Sequence, residues 1–144
     1  MMNTDQILEG FRMNGNKSRI WIGRIIYLIL AILFTLCIFT QIYLAGMAIF
    51  MNPAVWLKHM MFVHLFGFNV PIFMLIFAFI GALPRWAYWQ LFGIFTSIFL
   101  MYFSANMRTN FPWIGPLHVI IAILLLGLSC LVVGKTWTLI FRKK

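Results

Sequence analysis

The sequence predicts an all-α integral membrane protein: an up-down-up-down four-helix bundle, N-in/C-in, with both termini on the cytoplasmic side. Three observations carry that prediction. Of the 144 residues, 64% are hydrophobic and 9% are charged, whereas a soluble domain carries roughly 25% charged residues. The few charges divide the chain into four long uncharged intervals. The basic residues also gather on one side of those intervals. A soluble domain of this length leaves much of its surface in water, and lipid is the solvent that accommodates such an apolar chain.

Residues 1–21 read as a short cytoplasmic segment preceding a four-helix transmembrane domain over 22–144. Asp5 and Glu9 are the only acids in the chain. Ile7, Leu8, Phe11 and Met13 make the segment amphipathic, as expected of a stretch lying along the membrane surface.

The spans follow from the charges. Arg24 to Lys58 encloses 33 uncharged residues, Lys58 to Arg85 26, Arg85 to Arg108 22, and Arg108 to Lys135 26. Crossing a hydrocarbon core takes roughly 20 apolar residues, so each interval holds one span. The predicted helices cover about 22–50, 55–83, 86–107 and 116–140. The first apolar run is far longer than the ~7–15 residues of a signal-peptide core, so it is expected to be retained. Asn52-Pro53 turns the chain between the first two spans, and proline suits the first turn of a helix. Gly81-Ala82-Leu83-Pro84 makes the second turn. Asn110, Pro112, Trp113, Gly115 and Pro116 mark the third connection.

Orientation comes from the basic residues. Arg12, Lys17, Arg19, Arg24, Arg85, Lys135, Arg142, Lys143 and Lys144 fall on one side, and Lys58 and Arg108 on the other. The excess of lysine and arginine marks the cytoplasmic side. The net charge of +9 thus reflects topology and anionic headgroups, and nucleic acid is not an expected partner. Cys37 and Cys130 differ in depth by about 12 Å on a helical rise of ~1.5 Å per residue, too far for a disulfide. The six tryptophans lie near span ends, as in an aromatic belt.

No Asp or Glu lies in any span, so the intramembrane carboxylate of a proton-coupled transporter is missing. No metalloprotease, phosphate-loop or serine-nucleophile motif occurs either. What remains is a belt of polar residues in the outer halves of the spans: Gln41, His59, His64, Asn69, Ser104, Asn106 and His118. Counted from the basic residue at each inner helix end, Gln41, His64, Asn106 and His118 all lie about 26–32 Å up, and His59 about 39 Å. His59 and His64 diverge by about 140° around their helix. The expected pairing is therefore His64 with His118, two imidazoles able to ligate a haem b iron from facing helices.

Gly67 would leave room for the macrocycle, with Phe68 and Pro71 on the same face. Met60, Met61, Phe62, Met101 and Phe103 would line it, and Lys58 and Arg108 could pair with its propionates. His59 would be an adjacent or alternative ligand. The competing reading of the same residues is structural, with histidines at the interface or bonded between helices, and Gln41 and Asn69 holding helices together.

The stretch from Gln41 to Gly134 resembles a family of small, uncharacterised bacterial membrane proteins of four helices. The residues that carry the resemblance are Trp56, His59 and His64, in the pattern W-x-x-H-x-x-x-x-H, and Gly115 to His118, reading GPLH. The resemblance implies a multi-pass protein of the bacterial cytoplasmic membrane and supplies no activity. A more distant likeness is to four-helix membrane cytochromes b. Those with two haems use histidines in both leaflets, so this chain is expected to bind one haem at most, near the outer face.

The leading expectation is a haem-b-binding membrane protein acting in electron transfer or redox partnership at the outer face. One alternative is a non-catalytic subunit or assembly factor of a membrane complex, forming a homo- or hetero-oligomer. Another is a binding protein for a quinone or similar lipophilic molecule, with Gln41, His64 and Asn106 supplying hydrogen bonds.

Overall fold

The computed structural model describes residues 4–142, with side chains from Gly15 onward. The surface-lying character expected of Ile7, Leu8, Phe11 and Met13 therefore falls outside the described side chains, as do Arg12, Lys143 and Lys144. Every regular element among the described residues is helical. The helices are α1 (Thr4–Phe50), α2 (Val55–Phe66), α3 (Asn69–Ile80), α4 (Arg85–Met107) and α5 (Gly115–Phe141), with a single 3-10 turn at Pro112–Ile114 before α5. Four stretches are long and apolar enough to cross a membrane: Gly15–Phe50, Val55–Ile80, Arg85–Met107 and Pro112–Phe141.

Two boundaries differ from those read off the charges. α1 begins at Thr4 and not near residue 22. Charged side chains end an apolar run, but a helix continues through them as long as nothing breaks the backbone ladder.

The second span is also two helices, interrupted at Gly67 and Phe68. Pro71 is the physical cause. It has no N–H to give the carbonyl four residues back, at Gly67, and its ring crowds that carbonyl. The backbone of Gly67 and Phe68 stays right-handed, at φ −51° and −91°, so the chain bends without reversing. Asn69 Nδ2 donates to the Leu65 carbonyl at 2.7 Å, giving a partner to an acceptor at the end of α2. A helix crossing lipid would need such a side-chain cap, since no water there could do so.

The helices form a ring. α1 packs on α2, α3 and α5, and α4 packs on α3 and α5. The α1–α4 and α2–α5 pairs therefore lie on the two diagonals. The core along the bundle axis includes Tyr27, Ala31, Phe34 and Ile38 of α1, Met74 and Ala78 of α3, Leu91, Ile94 and Ile98 of α4, and Leu125 and Val132 of α5. The four apolar stretches are long enough to cross a membrane; for helices in such a setting, hydrocarbon solvates the same side chains, so close packing and hydrogen bonds would hold them together.

The closest packing is at the end where the chain passes from α3 to α4. A Cβ on Gly23 would lie 2.5 Å from the Gly81 nitrogen, and one on Gly81 would lie 2.9 Å from the Arg24 nitrogen. Only glycine lets these two backbones meet. Arg24 beside them donates from Nε to the Gly81 carbonyl at 3.0 Å and from Nη2 to the Ala82 carbonyl at 3.4 Å. Its guanidinium thus sits on the unpaired carbonyls at the negative end of α3.

The chain leaves α3 through a Schellman turn, with Leu83 N–H on the Ala78 carbonyl (3.0 Å) and Ala82 N–H on the Phe79 carbonyl (3.1 Å). The left-handed residue of that turn is Ala82, at φ 43°, a position that glycine usually fills. Gly81, one residue earlier, is held by its contact with α1. At the same end of the bundle the Lys135 ammonium stands 5.5 Å from the Trp86 ring, joining α5 to α4.

Candidate functional site

The polar belt gathers at the opposite end of the bundle, where α2 and α5 begin and where α1 and α4 approach their ends. One unit of it joins Gln41 with His59 through reciprocal hydrogen bonds. Gln41 Nε2 donates to the His59 carbonyl at 3.0 Å, and His59 Nδ1 donates to the Gln41 carbonyl at 3.1 Å. The bond from His59 fixes a tautomer, because a backbone carbonyl can only accept. Nδ1 carries the proton, and the neutral ring presents a lone pair at Nε2. Gln41 is buried, at 8% exposure, and its Oε1 has no protein partner.

His118, in the first turn of α5, repeats the arrangement. Its Nδ1 lies 3.1 Å from the Met101 carbonyl and 3.3 Å from Ser104 Oγ on α4. Ser104 in turn donates to the Met101 carbonyl at 3.0 Å. The carbonyl again requires the proton on Nδ1 and leaves Nε2 of the neutral ring as an acceptor. Both rings are half-buried. They belong to the diagonal pair α2 and α5, and each is held by the neighbouring helix, α1 in one case and α4 in the other.

His64 behaves differently. It is exposed, and its Nδ1 lies 3.2 Å from the Tyr102 hydroxyl on α4. The ring centroids are 5.5 Å apart. Tyr102 stacks on Phe68 at 5.7 Å, and Phe68 on Phe95 at 6.3 Å.

The structure thus places the residues singled out from sequence in separate groups. It brings His59 to Gln41 and not beyond it. The count that raised His59 to 39 Å started from Arg85, which lies past the end of α3 at Ile80, and assumed one regular helix across the break at Gly67. His64 hydrogen-bonds Tyr102, while His118 bonds Met101 and Ser104. Gly67 is buried against Val63, with the Tyr102 hydroxyl 3.6 Å from where its Cβ would be. The space expected beside it is bordered by that ring.

Asn106 and Arg108 are exposed at the end of α4 and just beyond it, as is Lys58 in α2. Met60, Met61 and Phe103 face outward, whereas Phe62 and Met101 pack on the core. Cys37 and Cys130 are free. Among the described residues no three His, Cys, Asp or Glu side chains group into a metal site.

Tyr102 is the residue that sequence reasoning passed over. Its signal was available: the chain has four tyrosines, and this one falls within the polar belt, two residues before Ser104.

No curated protein and no solved structure matches this chain, and no specific likeness to cytochromes b is found. Residues 41–109 match the model of DUF6220, a family of unknown function. The matched stretch runs from Gln41 through His59, His64 and Tyr102 to Thr109, and stops short of His118. Over that stretch, the chain is similar to a family whose function is not known.

Proposed function

We propose that this chain is a haem-b-binding membrane protein, with His59 and His118 as the axial ligands of a single haem and a role in electron transfer. The observation that carries the reading is the shared geometry of the two imidazoles. Each stands on one member of a diagonal helix pair, and each gives its Nδ1 proton to a backbone carbonyl of the next helix. Metal-ligating histidines are held in this way, because the bond fixes the ring and makes the other nitrogen a better donor to metal. His59 and His118 offer the iron a lone pair apiece, with no further tautomer change needed.

The pairing departs from the one expected on sequence because the Tyr102 hydroxyl, which both donates and accepts, does not fix the His64 tautomer as the Gln41 and Met101 carbonyls fix those of His59 and His118. Gln41 holds His59 in place through its reciprocal bonds. Lys58 and Arg108 are the exposed cations at this end, suited to pairing with propionates. Bound haem would supply a centre that takes up and releases one electron. The protein's part is to fix the ligands and keep water from the site.

The reading includes an orientation. Both termini lie in the cytoplasm of a bacterial cell, by the excess of basic residues there, and the histidine end faces outward. A single haem near one face cannot pass electrons across the bilayer alone, so a redox partner is part of the proposal.

The test is a visible spectrum of the protein purified in detergent from haem-supplemented cells, oxidised and then dithionite-reduced. A Soret band with sharp reduced α and β bands supports the reading. A colourless protein after supplementation overturns it and favours a structural role for the belt.

A further inference from the structure

The third histidine is not used by the haem reading, and its surroundings point to a second ligand. We infer that His64 and Tyr102 form a headgroup site for a lipophilic quinone and its quinol, in the gap between α2 and α4.

Depth is the first argument. His64 lies about 13 Å along the helix from the start of α2 at Val55, on a rise of ~1.5 Å per residue. It is exposed on the surface of the bundle within the apolar stretch Val55–Ile80. Tyr102 partners one ring nitrogen. The other, left to hydrocarbon, carries the cost of an unpaired polar group in lipid. A ligand arriving through the membrane with a matching polar atom removes that cost.

Room and shape come next. α2 makes no close backbone approach to α4, and the break at Gly67 lies at the foot of the gap between them. The gap is bridged by side chains, His64 to Tyr102 and Tyr102 to Phe68, whose rings lie within 15° of parallel. Tyr102 and Phe68 stack on each other, so a flat headgroup would reach His64 from its exposed side, and an isoprenoid tail would remain in the lipid.

The dyad's chemistry selects the headgroup. His59 and His118 are locked by carbonyls that can only accept, whereas a tyrosine hydroxyl both donates and accepts. When Tyr102 donates to Nδ1 of neutral His64, Nε2 carries a proton and can donate to a quinone carbonyl. When Nδ1 carries the proton and donates to the Tyr102 oxygen, Nε2 accepts from a quinol hydroxyl. One pair of side chains therefore receives both redox forms without placing a net charge in the hydrocarbon. A carboxylate-headed lipid would need a cation, and neither side chain of the neutral dyad supplies one.

The probe is decylubiquinone, titrated into the full chain in lipid nanodiscs, in both haem-free and haem-supplemented protein. Saturable binding is expected, weakened roughly tenfold in His64→Ala and in Tyr102→Phe, the loss of about one well-made hydrogen bond. Tyr43→Phe, on the exposed surface of α1, should bind as the wild type does.

Absence of saturable binding, or equal affinity in all four proteins, overturns the inference. An azido-quinone on the wild-type protein covers the case in which a variant fails to fold. Labelling confined to residues 60–72 and 98–106 supports the site, and labelling elsewhere refutes it. Because the haem-free arm needs no cofactor, this result stands or falls separately from the haem spectrum.

Discussion

Replacing Gly23 with alanine tests how the bundle is held together. The added Cβ would lie 2.5 Å from the Gly81 nitrogen, 2.8 Å from its Cα and 2.9 Å from the Ile80 carbonyl carbon. Favourable contacts fall at about 3.5–4.0 Å, so α1 must retreat from α3 by roughly 1 Å. All three obstructing atoms are backbone, so no side chain can swing aside.

Overpacking of this kind costs about 1–3 kcal/mol. The retreat also stretches the Arg24 bonds to Gly81 and Ala82, one residue away, at 3.0 and 3.4 Å. Loss of one such partly exposed charged bond adds about 1 kcal/mol. Against this stands a gain of about 1 kcal/mol from exchanging glycine for alanine inside a helix. The net expectation is a loss of about 1–3 kcal/mol.

The assay is unfolding of detergent-solubilised protein, followed by circular dichroism during denaturation with sodium dodecyl sulfate. Gly127→Ala is the control, since a Cβ there meets nothing within 4 Å. It should be neutral or slightly stabilising. If Gly23→Ala matches Gly127→Ala, the close approach of α1 to α3 does not hold the bundle, and the packing argument fails.

Two further outcomes follow from the same structure. Ala82→Gly should stabilise the protein by up to about 1 kcal/mol, because the residue's φ of 43° suits glycine; a loss of stability in the same denaturation would contradict the turn described. Alkaline phosphatase should be active when inserted after Asn110 and inactive when fused after Lys144, if the positive-inside rule governs this chain; the reverse pattern would invert the orientation.

Much of the architecture was legible because lipid imposes simple rules. Arg24, Lys58, Arg85 and Arg108 bound stretches that must each be helical, since a chain crossing hydrocarbon has to satisfy its backbone internally. The break before Pro71 was also available from the rule that proline disturbs the carbonyl four residues back, yet the uncharged run from Lys58 to Arg85 concealed it. The continuation of α1 to Thr4 was hidden because charge reports on solvent and says little about helicity.

The partnerships among histidines were harder to read. Whether His59 or His64 reaches a neighbour depends on turn geometry and on the bend at Gly67, neither of which sequence counting resolves to one helical turn. Gln41 and His118 were visible as polar residues in apolar helices. Their partners, the His59 and Met101 carbonyls, are backbone atoms and carry no residue signature. Tyr102 was overlooked because aromatic residues are abundant in membrane helices.

The most direct test of the haem proposal is the dithionite-reduced spectrum of three single variants, each purified from haem-supplemented cells. His59→Ala and His118→Ala should each lose the sharp α and β bands of a six-coordinate haem, while His64→Ala keeps them. Loss in His64→Ala with retention in His59→Ala would contradict the pairing read from the Gln41 and Met101 carbonyls, and would return the ligand role to His64.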